Sequence, residues 1–76
     1  MANPDFPFVI IADSSSLNGY QYFPETEELL IKFKPKGVYV YRDVPLEVFW
    51  EFNAAESKGS FLSKNIKGVY QFEKVG

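Results

Sequence analysis

The sequence contains no cysteine and no histidine. The first absence excludes disulfides and thiolate metal sites. The second removes the commonest general base and the commonest metal ligand. The phosphate-loop spacing Gly-x-x-x-x-Gly-Lys is missing as well. No stretch approaches the length of a membrane-spanning helix. The apolar run Phe8-Val9-Ile10-Ile11-Ala12 is too short for a signal core, and no positive charge precedes it. These absences point away from an enzyme, a bound cofactor and a membrane partner, and a reducing cytoplasm is the expected location.

What remains is one small domain of 76 residues that must hold together by apolar packing alone. Eight Phe, five Tyr and one Trp supply the material, which excludes a disordered chain. Net charge is −2, and its distribution is uneven. Residues 1–31 carry five acids and no base, whereas residues 32–76 carry all eight Lys and Arg. A charge balance of this kind marks either an interaction face or an ordinary solvated surface.

Residues 1–12, with Pro4 and Pro7, read as a tail or a short edge strand. Asp13-Ser14-Ser15-Ser16 is turn material. Leu17 to Phe23 favours a strand through Tyr20, Tyr22 and Phe23, with Gly19 marking a bulge or a close backbone approach. Leu29 to Lys34 alternates: Leu29, Ile31 and Phe33 share one face and the two Lys the other. Pro35-Lys36-Gly37 makes a tight turn into a third strand, Val38 to Arg42. At Val44-Pro45 the period changes to helical. A helix over about 45–55 should be buried across a wide arc, with Trp50 as a core anchor. Ser57 then suits the N-cap of a second short helix whose apolar face is Phe61, Leu62 and Ile66. Gly68 ends it, and Val69 to Phe72 should run extended. The predicted fold is α+β, a three-stranded antiparallel meander followed by two short helices, in two layers.

The ordered landmarks Asp13-Ser-Ser-Ser, Gly19-Tyr20, Tyr39-Val40-Tyr41, Val44-Pro45, Ser57-Lys58-Gly59 and Asn65-Ile66-Lys67-Gly68-Val69-Tyr70 resemble the KTSC domain. That module is named for the C-terminus of some lysyl-tRNA synthetases and also occurs as free-standing proteins in bacteria and phages. The resemblance covers residues 13–75. It places the family's Tyr-x-Tyr pattern on Tyr39 and Tyr41, its Ser-Lys-Gly element on Ser57, Lys58 and Gly59, and its Asn–Ile helix end on Asn65 and Ile66. Leu62-Ser63-Lys64-Asn65 departs from the aromatic-Asn pair of many members. RNA binding is the function the resemblance implies, through the module's attachment to synthetases.

Tyr39 and Tyr41 lie two apart on a strand and so share a face, as do Tyr20 and Tyr22. Facing outward, they would form a platform for stacking nucleic-acid bases. Facing inward, they would be core with hydroxyls at the rim. Lys58, Lys64, Lys67 and Lys74 cluster in the last third of the chain, and Lys64 and Lys67 would be neighbours if the helix persists. With Ser57 and the free N–H groups of a helix start, they can hold an anion, or they form a solvated helix face. Glu47 and Glu51 fall on the exposed side of the first helix, and Ser14–Ser16 lack a base to activate them. Tyr20, Tyr39, Tyr41, Ser57, Lys58, Lys64, Asn65 and Lys67 are therefore the candidate binding residues of a non-enzymatic recognition module with RNA as its ligand. The alternative is a protein-interaction or inhibitor module, phage-encoded or homo-oligomeric, or one that sequesters a small ligand.

Overall fold

The computed structural model describes residues 6–12 and 14–76. The expectations for residues 1–5 and for Asp13 fall outside the described residues. Seven elements follow in order: β1 (Val9–Ile10), β2 (Leu17–Phe23), β3 (Glu28–Phe33), β4 (Val38–Tyr41), α1 (Leu46–Ala54), α2 (Lys58–Asn65) and β5 (Phe72–Lys74). The fold is α+β, and the three-strand reading is coarser than the sheet itself, which has five strands. They run in the order β1-β2-β3-β4-β5, every neighbour antiparallel. A two-residue strand extends one edge and a three-residue strand the other. Segments that short carry too little alternation to be recognised from sequence.

Register decides which side chains meet. Tyr20 pairs with Ile31 and Tyr22 with Leu29, while Ile31 and Leu29 pair onward with Tyr39 and Tyr41. All six residues named in those rows project to the same face. The register shifts between Leu17 and Gly19, a local irregularity in β2. A Cβ on Gly19 would lie 2.5 Å from the Phe8 ring and 2.6 Å from the Val9 carbonyl oxygen, so glycine is what lets β1 lie against β2 there.

α1 begins at Pro45, whose carbonyl accepts from the N–H groups of Val48 and Phe49. It buries Phe49 and Phe52 against the β2 tyrosines. Phe49 stacks on Tyr22 at 4.6 Å, and Phe52 meets Tyr20 edge-on at 4.8 Å. α2 starts where expected: the Ser57 hydroxyl accepts from the Ser60 N–H, capping one of the orphan donors of the first turn. Leu62 and Ile66 are fully buried, and Phe61 packs at the core's edge. Trp50 is a correction. It is 51% exposed rather than central, resting by one side on Phe6 and Phe49. The C-terminal segment also differs from expectation. Residues 66–69 turn back over the sheet before β5 forms.

The core is Leu17, Tyr20, Tyr22, Leu29, Ile31, Tyr41, Val44, Phe49, Phe52, Leu62 and Ile66. No charged or polar residue is buried in it among the described residues.

Candidate functional site

The four strand tyrosines settle the question of the aromatic platform. They face the helix layer, so an outward stacking surface built from Tyr20, Tyr22, Tyr39 and Tyr41 does not exist. Their surroundings nevertheless differ. Tyr20 and Tyr22 lie beneath α1, and each hydroxyl has a partner inside the fold. Tyr20 donates to Asn53 Oδ1 at 2.5 Å and Tyr22 to the Val44 carbonyl at 2.6 Å. Tyr39 and Tyr41 sit farther along the sheet, toward β5. There the inner face is incompletely covered: Phe72 of β5, which shares it, is 57% exposed.

An open aromatic slot of about 400 Å³ results, walled by Phe33, Tyr39, Tyr41 and Phe72, with Lys36, Lys67 and Gly68 at its margin. Tyr39 meets Phe33 edge-on at 5.2 Å, and Phe72 leans against Tyr39 and Tyr41 at 5.5 and 5.7 Å. Lys67 Nζ lies 5.0 Å from the centre of the Phe33 ring, within cation–π range. Three connections build this geometry. The turn between β3 and β4 closes through the Phe33 N–H to the Gly37 carbonyl at 2.8 Å, which sets Lys36 at the rim. After α2, Gly68 adopts φ +80°, a conformation costly for other residues, and the chain reverses there with Lys67 laid across Phe33. β5 is then tied to β4 by backbone bonds on both sides, Arg42 N–H to Gln71 O and Val75 N–H to Val38 O. The Arg42 guanidinium reinforces the tie, bridging Glu28 of β3 and Glu73 of β5. Its hydrogen bond to Glu73 and the two carboxylates raise its pKa further above an already high value.

Burial, and secondly the neighbouring Tyr39, push the Tyr41 hydroxyl above its ordinary range. Burial does the same to Tyr20, and to Tyr22, where the Glu27 carboxylate adds to it.

The candidate residues thus divide. Tyr39, Tyr41 and Lys67 come together in the aromatic slot. Ser57, Lys58 and Lys64 line a second, polar cavity of about 650 Å³ between α2 and the β1 end of the sheet, and Tyr20 lies in its wall. Lys58 is engaged there, donating to the Ala55 carbonyl at 3.2 Å and closing the end of α1. Lys64 and Lys67 are not neighbours on one helix, because α2 ends at Asn65. Asn65 is exposed and lines neither cavity. Sequence reasoning missed Phe33, Lys36 and Phe72 as site residues. The alternation of β3 and the Pro35-Lys36-Gly37 turn carried a signal for the first two. Phe72 enters only through β5. Glu47 and Glu51 are exposed on α1, and no group of three potential metal ligands occurs among the described residues.

The fold and this slot define a class: an α+β domain with a five-stranded antiparallel sheet, two helices and an aromatic recess at one end. The family profile described as KTSC domain matches residues 13–70. The chain belongs to the KTSC domain family. It is 36% identical over 63 residues to a lysine–tRNA ligase of Nostoc sp., covering 83% of this chain and 11% of the ligase. A lysine–tRNA ligase of Trichormus variabilis matches to the same extent. The chain therefore spans about one ninth of those ligases. A protein of Tsukamurella paurometabola is 36% identical over 55 residues, 72% of this chain and 82% of that one. The crystal structure of a KTSC domain protein from Yersinia pestis superposes with a TM-score of 0.86 at 32% identity, over 93% of this chain and 99% of the other. No helix among the described residues is long and apolar enough to cross a membrane.

Proposed function

We propose that this chain is a non-enzymatic recognition module that binds single-stranded RNA at the aromatic slot. The observation that carries the reading is the combination of four aromatic rings around an open recess with two lysines at its margin. A base has two apolar faces and an anionic backbone. Phe33, Tyr39 and Phe72 offer the faces, and Lys36 and Lys67 offer charge to flanking phosphates. Stacking of one base contributes about 1–3 kcal/mol in proteins that bind single strands, and the phosphate contacts make affinity salt-dependent. The relatives named as lysine–tRNA ligases agree with an RNA ligand. A net charge of −2 does not oppose it, because the slot is lined by Lys36 and Lys67 and by no acid among the described residues.

The test is fluorescence anisotropy with labelled, mixed-sequence single-stranded RNA at low salt. Saturable binding is expected, weakening linearly on a log–log salt plot. Lys36→Ala and Lys67→Ala should each lower affinity for all sequences alike and reduce the salt slope by roughly one. Absence of a saturable signal at low salt would overturn the proposal.

A further inference from the structure

Four tyrosines share the inner face of the sheet, and two of them have hydroxyls that the fold does not use. Those of Tyr20 and Tyr22 are bound internally. Tyr39 and Tyr41 make ring contacts only, with Phe33 and Phe72, and neither phenol oxygen has a hydrogen-bond partner among the described residues. For Tyr41 this is unusual, because the residue is only 3% exposed. A buried phenol ordinarily finds a partner, since stripping it of water without one is costly. Yet no fully buried side-chain oxygen or nitrogen is left unpaired among the described residues. The Tyr41 oxygen therefore keeps a small opening to its surroundings, and Tyr41 is one of the residues that line the slot. Tyr39, two residues away on the same strand, lines the same recess.

We infer that Tyr39 and Tyr41 form a reading pair: their hydroxyls hydrogen-bond the polar edge of a single nucleobase held in the slot, making the module selective for base identity at one position. This deepens the RNA-binding reading above and rests on it. The recess is an open slot of about 400 Å³ walled by four aromatic rings, room enough for a flat nucleobase ring to enter against them. Phe33, Tyr39 and Phe72 supply sequence-blind stacking surface, whereas a hydroxyl can donate and accept and so discriminates between edges that present different groups. The lysines at the margin leave the ring's phosphate in solvent-facing contact and contribute no discrimination.

The experiment compares short homopolymeric RNAs of A, C and U against the wild-type chain, Tyr39→Phe and Tyr41→Phe by anisotropy, with thermal melts alongside. Each variant removes one oxygen and leaves the ring. The wild type is expected to prefer one base by about tenfold, the size of one or two hydrogen bonds left unmade with the wrong partner. Both variants should flatten that preference, keep the wild-type salt slope and melt as the wild type does. A preference that survives in both variants overturns the inference and leaves RNA binding standing, as does equal affinity of the wild type for all three RNAs. A lowered melting temperature in Tyr41→Phe would show that the hydroxyl serves the fold, and would also overturn it. If the wild type binds no RNA, this inference falls together with the reading it rests on.

Discussion

Tyr22 and Tyr41 are both almost fully buried, in the same sheet face, and their hydroxyls do different work. The Tyr22 hydroxyl donates to the Val44 carbonyl just before α1 begins, and so fixes the strand-to-helix corner. Removing it leaves a buried carbonyl without a donor, at a cost of about 1–3 kcal/mol. Tyr22→Phe is thus expected to lose roughly that much in urea denaturation, although its stacking on Phe49 is retained. Tyr41→Phe should lose little. At residue scale, then, two identical substitutions on strands of the same sheet separate a hydroxyl the fold uses from one it does not. The same scale explains why the sequence was ambiguous about all four tyrosines. The period of two places Tyr39 with Tyr41 and Tyr20 with Tyr22, but it says nothing about which face the helices cover.

The helices show the limits of periodicity in another way. Along α1, Leu46, Phe49, Trp50 and Asn53 lie at helical spacing, and so do Val48, Phe52 and Ala55. Together these stripes span more of the helix than one sheet can bury. Phe49 and Phe52 fall on the line facing β2 and are buried. Leu46 and Trp50 fall just outside it and stay 41% and 51% exposed. The two stripes predict a helix buried over a wide arc with Trp50 as a core anchor, and the exposed Trp50 corrects that expectation. Phe52→Ala should therefore destabilise by about 3–5 kcal/mol, the cost of a cavity beneath a fully buried ring. Trp50→Ala should cost far less than that. Chemical denaturation of the two variants side by side checks the ordering, and equal losses would contradict the packing described. Other element boundaries were legible because local chemistry sets them. Ser57 caps α2 through its own side chain, and Pro45 opens α1. β1 and β5 were not, since two or three residues acquire their strand geometry only from the neighbour they pair with.

At the scale of the whole molecule, the burial of tyrosines has a consequence for pH. Tyr20, Tyr22 and Tyr41 all have hydroxyls pushed above the ordinary phenol value, in each case chiefly by burial. A raised folded-state pKa contributes stability that is fully present below the unfolded value, near 10, and is lost as pH climbs through the folded values. The unfolded chain ionises first and binds fewer protons than the native one, so the slope is downward. Urea midpoints measured at constant ionic strength should hold steady up to about pH 10 and fall beyond it. A midpoint that rose through that interval would contradict the buried placement of the three phenols. The slot belongs to this scale as well. Phe33, Tyr39 and Tyr41 come from two adjacent strands, Lys67 from the turn after α2 and Phe72 from the last strand, so no local segment contains the site.

By itself the sequence determined the α+β class, the antiparallel pairing of the three central strands, the cap of α2 and the membership that its ordered landmarks announce. These follow from period, turn chemistry and side-chain capping, all of which act over a few residues. Tertiary structure alone decided that Trp50 lies outside the core, that the candidate lysines part company, and that Phe72 returns to close a recess with Tyr39 and Tyr41. The reason is that helix coverage of a sheet face is set by how two layers fit in space. Where that coverage stops short of β5, Phe72 stays half exposed and an aromatic recess is left open.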